Sequence, residues 1–267
     1  MKKILSILCI LCLVAGIACC AYAEDPQEQE NPQGQAMPDF TVELTDGTTV
    51  TLSELLETKE VVVLNVFTTW CGPCQGEFPE MEEIYQQYKD QMEIVAVSPD
   101  AGDDMETLRQ FKEEMGVTFP MGQAGADIVS SFDIYGFPTT FVIDRNGQVA
   151  HYELGAFVNG KAFEKVVTPL MGDDYTGKQL WLYTVFVADQ QMELVPNVNI
   201  QFCTDTLCTV VNTGEDGFVF IVAEEPTEYH IKILTVPEGY TVYEEDAEVV
   251  TAGKSARFQL NVYKRSW

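Results

Sequence analysis

The apolar positions follow two different periods along the chain. Residues 61–67, Val-Val-Val-Leu-Asn-Val-Phe, form a near-continuous β-branched run. That is the pattern of a strand buried on both faces, usually central in a sheet with parallel neighbours. Residues 92–97 repeat it. Between the two runs, Phe78, Met81, Ile84, Tyr85 and Tyr88 recur at helical spacing. The spacing predicts a helix starting near Pro73, where a missing N–H does no harm, and Pro79 inside it should kink it. Met105, Leu108, Phe111 and Met115 predict an amphipathic helix over 103–115, ended by Gly116; a shorter helix is read over 126–135. Asp46-Gly47 between 40–44 and 48–50, and Asn146-Gly147 between 139–143 and 148–154, are hairpin signals. A last helix covers 161–171, capped by Asn159, with Pro169 loosening its end. The order predicts a mixed sheet with helices on both faces, an α/β unit.

Beyond the polar stretch Met171-Gly172-Asp173-Asp174-Tyr175-Thr176-Gly177 the helical period disappears. Residues 181–188, 198–203, 209–211, 218–223, 229–236, 248–251 and 257–263 alternate like short strands. Turn signals such as Pro196-Asn197, Asp216-Gly217 and Pro237-Glu238-Gly239 separate them. This predicts an all-β sandwich. The expected organisation is a targeting segment over 1–23, a disordered Gln/Glu/Pro-rich linker over 24–37, the α/β domain over 38–172 and the sandwich over 178–267.

The targeting segment changes how the cysteines are read. Lys2 and Lys3 precede an apolar run, and Ala21-Tyr22-Ala23 is a small-x-small cleavage site, the layout of a secretory signal peptide. An uncleaved anchor and lipidation at Cys19 are the other readings. All three put the body of the chain outside the cytoplasm, where disulfides persist. Of eight cysteines, Cys9, Cys12, Cys19 and Cys20 lie in this segment. The rest form two close pairs, Cys71/Cys74 and Cys203/Cys208. The formal net charge is −27, and removing Lys2 and Lys3 with residues 1–23 makes it −29. Such acidity argues against nucleic acid or anionic lipid as a partner.

Cys71-Gly72-Pro73-Cys74 places two thiols at the predicted start of a helix. Unpaired N–H groups and the helix dipole favour thiolate at the first sulfur, and thiolate is the attacking species. Cys71 is therefore expected to be the exposed nucleophile and Cys74 the resolving thiol. A zinc site also uses C-x-x-C, but it needs two more ligands. The candidates are Cys203, Cys208, His151 and His230, three of which lie beyond the seam or pair better with each other. Two inert core thiols are the remaining reading, against which the Gly-Pro turn argues.

Trp70-Cys71-Gly72-Pro73-Cys74 after the 61–67 run resembles thioredoxin-fold oxidoreductases. Gln75-Gly76-Glu77-Phe78-Pro79 makes it similar to the TlpA/ResA-like branch. Tyr135-Gly136-Phe137-Pro138-Thr139-Thr140-Phe141-Val142-Ile143-Asp144 resembles that family's cis-proline segment. The resemblance covers about 38–171 and implies a thioredoxin fold for the α/β part. It implies that Pro138 is cis and faces the dithiol, that the Phe137 backbone pairs with an incoming chain, and that Trp70 walls the site. Ordinary thioredoxins carry a buried Asp where this chain has Asn65; Glu77 is then the implied proton partner of Cys74. The implied activity is disulfide reduction on secreted or envelope proteins, apocytochrome c among them, with electrons from a membrane donor of the CcdA/DsbD type and no cofactor. Thr68-Thr69-Trp70-Cys71 contains part of a peroxiredoxin pattern, but Leu64 stands where that pattern needs Pro. A thiol peroxidase is thus one alternative; a surface binding or adhesion protein with a vestigial thioredoxin domain is the other.

The sandwich resembles small Ig-like or prealbumin-like modules of the carboxypeptidase regulatory-like or Cna-B-like kind. Cys203 and Cys208 flank a hairpin-like bend and are read as a structural disulfide. A second redox couple is the alternative, without a helix start or cis-proline to support it.

Overall fold

The architecture is built around six residues with buried side chains. The structure, a computed structural model, describes residues 32–125, 128, 134–243, 248–250 and 256–264. Strand β3 (Val61–Val66) is buried along its whole length. It pairs in parallel with β4 (Met92–Ser98) and antiparallel with β6 (Thr139–Asp144). β5 (Met121–Gln123) extends the sheet beside β4, and β7 (Val149–Leu154) beside β6, giving the order β5-β4-β3-β6-β7. A strand with neighbours on both edges and layers on both faces has no solvated position, which is why 61–67 reads as a near-continuous apolar run broken only by Asn65.

Alternation along β3 feeds two cores. Val61 and Val63 pack with Phe78 and Met81 of α2 (Gly72–Tyr88), Leu108 and Phe111 of α3 (Met105–Met115) and Phe163 of α4 (Gly160–Val167). Val62, Leu64 and Val66 face Phe40, Val42, Leu44 and Leu52. These come from the hairpin β1 (Thr41–Glu43)/β2 (Thr49–Thr51), its flanks and the short α1 (Leu52–Leu56). Asn65, in register with Val61 and Val63, projects toward α2. Asp104 caps α3 by accepting from Thr107 N, and Asn159 caps α4 by accepting from Ala162 N. A 3-10 turn over Thr168–Leu170, containing Pro169, follows α4. Most of the helix read over 126–135 lies outside the described residues.

Part of the expected linker belongs to the fold. Gly34 N donates to Val149 O and Met37 N to Gly147 O, and the Gln33 amide donates to Leu180 O. Met37 is buried. The expectation of disorder over 24–37 is thereby corrected for residues 32–37: backbone pairing along β7 orders a stretch whose side chains carry little apolar signal. The first 31 residues, with the expected signal peptide, lie outside the described residues. Among the described residues no helix is long and apolar enough to cross a membrane.

The C-terminal region is all-β. β8 (Trp181–Ala188) lies between β11 (Phe218–Ala223), antiparallel, and β15 (Ala256–Asn261), parallel. A second sheet has the order β10 (Cys208–Asn212), β9 (Asn199–Cys203), β12 (His230–Thr235), β14 (Glu248–Val250). β13 (Tyr240–Thr241) and β16 (Tyr263–Lys264) form a small ribbon. Val185, Val187, Val219 and Leu260 of the first sheet meet Ile200, Phe202, Ile231 and Ile233 of the second, which makes a sandwich. The other face of the first sheet is covered too. Leu182, Phe220 and Val222 join the core of α4 with Phe163, Val166 and Val167. β8 thus serves two cores at once.

Candidate active site

The chain leaves β3 at Phe67 and turns into α2 through Thr68-Thr69-Trp70-Cys71. Cys71 is the N-cap of α2, and its sulfur accepts from Cys74 N at 3.2 Å. Cys71 and Cys74 form a disulfide with their Cα atoms 5.3 Å apart. The first sulfur therefore sits at the positive end of a helix dipole, which favours thiolate once the bond is reduced. One expectation needs correction. Cys71 is only 5 % exposed and Cys74 fully buried. Both lie in the apolar cluster under α2, against which Phe137 packs, so the dithiol presents an edge rather than an open sulfur.

The turn before Cys71 is held by two aspartates that follow β4. Buried Asp103 accepts from Thr69 N (3.0 Å), Thr69 Oγ1 (2.5 Å) and Ser98 Oγ (2.5 Å). Asp100 accepts from Trp70 Nε1 at 2.7 Å. That bond, with one from Gly102 N, holds the Asp100 carboxyl below its usual range. Trp70 itself is 66 % exposed, and its ring meets Phe137 edge-on at 6.1 Å. The Phe137–Pro138 peptide bond is cis. Thr139 Oγ1 donates to Gly136 O at 2.8 Å and secures the turn. Beside Trp70 an open cleft is lined by Thr69, Gln75, Gln110, Phe111 and Met115.

Glu77 lies one helical turn beyond Cys74, on the same side of α2. It is 5 % exposed. Its Oε1 accepts from Asn65 Nδ2 at 2.9 Å and its Oε2 from Phe157 N at 3.1 Å. Asn65 Nδ2 also donates to Thr140 Oγ1 at 3.0 Å. Burial pushes the Glu77 carboxyl up from 4.5 to about 7; the two hydrogen bonds work against it, the nearby Glu153 carboxylate adds to it, and Arg257 opposes it. Asn65, noted in the sequence only as a missing acid, is thus a ligand of the acid that is present.

Trp70, Cys71, Cys74, Glu77, Phe137 and Pro138 gather at one end of the sheet. The other pair does not join them. Cys203 and Cys208 are bonded to each other as cross-strand partners of β9 and β10. Buried His151 contacts Leu180 O through Nδ1 and Glu153 through Nε2, and His230 is exposed on β12. Among the described residues no cluster of three or more His, Cys, Asp or Glu is placed to hold a metal ion. Sequence reasoning missed Asp103, Phe157 N and Arg257. In sequence Asp103 reads only as a helix start, and a backbone donor carries no signal in sequence at all.

A five-stranded mixed sheet with a C-x-x-C disulfide at a helix N-terminus defines a thioredoxin-fold disulfide exchanger. The chain belongs to the thiol-disulfide oxidoreductase family that includes ResA. It is similar to ResA of Bacillus subtilis, 35% identical over 125 residues, 46% of this chain and 68% of the relative. It is also similar to ResA of Bacillus cereus, 32% identical over 152 residues, 56% of this chain and 84% of the relative. The model of the AhpC/TSA family matches residues 33–152. Among solved structures, a putative thiol:disulfide interchange protein DsbE from Chlorobium tepidum is 32% identical with a TM-score of 0.46, covering 52% of this chain and 98% of that one.

Proposed function

We propose that the protein is an extracytoplasmic thiol–disulfide oxidoreductase that reduces disulfides of secreted or envelope proteins through Cys71 and Cys74, with Glu77 as proton partner. In the reduced protein the Cys71 thiolate attacks one sulfur of a substrate disulfide. A mixed disulfide forms and the other substrate sulfur leaves as thiolate. Glu77 takes the proton from Cys74, whose thiolate then attacks Cys71. The Cys71–Cys74 bond forms and the second substrate sulfur is released. Two electrons pass to the substrate, and a membrane donor of the CcdA/DsbD type restores the dithiol. The name ResA of the relatives supports the activity; apocytochrome c is a substrate class that fits the family.

The observation that carries the reading is Glu77, buried one turn from Cys74 and raised to about 7. A general base works best when its pKa lies near the working pH. Asn65 suits either state: an amide donates to an ionised carboxylate and accepts from a protonated one. Trp70 and the Phe137–Pro138 turn would form the walls against which the substrate chain lies. In this reading residues 1–23 direct export, cleaved, lipidated at Cys19 or retained as an anchor. The 178–267 region is an Ig-like or prealbumin-like module, with Cys203–Cys208 as a structural disulfide.

The test is trapping in the native host. Cys74→Ser should accumulate mixed disulfides between Cys71 and exported proteins, and Cys71→Ser should accumulate none. Unimpaired turnover in Cys74→Ser would overturn the roles assigned to the two cysteines.

A further inference from the structure

The sandwich reaches the proton site through a single peptide group. Phe157 N, which donates to Glu77 Oε2, belongs to the same planar amide as the Ala156 carbonyl. That carbonyl accepts from Arg257 Nη2. Arg257 stands on β15 of the sandwich, and the same nitrogen is paired with Glu153 Oε1 of β7 at 2.7 Å. The chain of contacts runs from guanidinium to carbonyl, through the amide to its N–H, and on to the carboxylate. We propose that Arg257 is a positioning residue for the Glu77 proton site, acting through the Ala156–Phe157 peptide; this rests on the reading of Glu77 as the proton partner of Cys74.

Two physical effects support it. The first is orientation. Residues 155–158 form a loop between β7 and α4, and rotation of one peptide plane there would turn the Ala156 carbonyl toward Glu77 in place of the N–H. A carbonyl facing the carboxyl favours its protonated form; an N–H favours the ionised one. Arg257 holds the carbonyl on the far side. The second is polarisation. A cation on the carbonyl oxygen strengthens the N–H at the other end of the amide as a donor, as in any hydrogen-bond chain. Among the described residues the groups facing Glu77 are Asn65 from β3, Thr140 beyond it on β6, Phe157 N from the loop, Cys74 on its own helix, Glu153 with its partner His151 from β7, and Arg257 from β15. Arg257 is the one among these that carries a positive charge at every working pH.

The test uses the full chain, oxidised, with 13C-labelled Glu side chains, and follows the Glu77 carboxyl carbon by NMR against pH. Glu77→Gln identifies the signal. Arg257→Gln should raise the Glu77 midpoint by about 0.5 pH or more. Arg257→Lys, which keeps the charge and a donor, should fall between it and the wild type. Arg257 is partly exposed, and an unchanged thermal midpoint in either variant keeps the comparison clean. A Glu77 midpoint in Arg257→Gln equal to wild type would overturn the proposal. The underlying reading fails separately, when Glu77→Gln leaves the pH profile of Cys71–Cys74 exchange unchanged.

Discussion

Replacing Glu77 by Gln should make the protein more stable, and the gain should depend on pH. The carboxyl has a pKa of about 7 in the folded chain against 4.5 in an exposed one. Between those values the folded state holds a proton that the unfolded state has released. Stability is therefore full below the unfolded value and falls as pH rises, until the folded group has also ionised above about 7. A difference of about 2.5 in pKa, at 1.36 kcal/mol for each, gives a loss of about 3 kcal/mol. Gln has nearly the same shape, stays neutral, and keeps an oxygen for Asn65 or Phe157 N. Urea unfolding of both oxidised proteins, compared at each pH, cancels the other carboxylates. The variant should match the wild type near about pH 4 and exceed it by about 3 kcal/mol near about pH 8. A difference that stays flat with pH, or a variant that loses ground as pH rises, would refute the reasoning. The size matters because a domain's whole stability is about 5–15 kcal/mol. Keeping an acid here is expensive, which fits a residue retained for chemistry.

Three further outcomes follow from contacts around the site. Asn65→Asp sets a second carboxyl within 2.9 Å of Glu77; the pair should hold one proton beyond the wild-type Glu77 midpoint, seen in the same carboxyl titration. Asp103→Ala strands Thr69 N–H, Thr69 Oγ1 and Ser98 Oγ; urea unfolding should show a loss of about 2–3 kcal/mol, with slower turnover because Trp70 is less well placed. Gly122→Ala would put a Cβ 2.2 Å from the Glu43 carbonyl; the β1 hairpin must move away, and denaturation should report about 1–3 kcal/mol lost.

What could be read in advance depended on whether a feature is local. β3 and β4 announce themselves because a strand buried on both faces is apolar at nearly every position, and α2 and α3 because one face alone is buried. β5 was missed. It has three residues, follows Pro120, and contains Gly122, whose missing side chain admits the backbone of Glu43. The parallel pairing of β15 with β8 joins segments some seventy residues apart and follows from packing rather than from any turn between them. Within the site, Cys71, Cys74 and Glu77 lie on one helix and their spacing exposes them. The partners of Glu77 are Asn65 from another strand, a backbone N–H at Phe157, and Arg257 beyond it. None of these has a fixed spacing to Glu77, so only the fold brings them together. The second core face of β8 was hidden for the same reason, since Leu182 looks like one more alternating strand residue until α4 is seen to pack on it.

The reaction assigned to the site is disulfide exchange at Cys71–Cys74 with a proton handled by Glu77. Its most direct measure is the rate of insulin disulfide reduction by the prereduced chain across neutral pH, for wild type, Cys71→Ser and Glu77→Gln. The wild type should reduce insulin once per dithiol, Cys71→Ser should not react, and Glu77→Gln should react more slowly and without the inflection near about pH 7. An inactive wild type would rule out exchange at this disulfide, and a Glu77→Gln profile that overlays the wild type would rule out Glu77 as its proton partner.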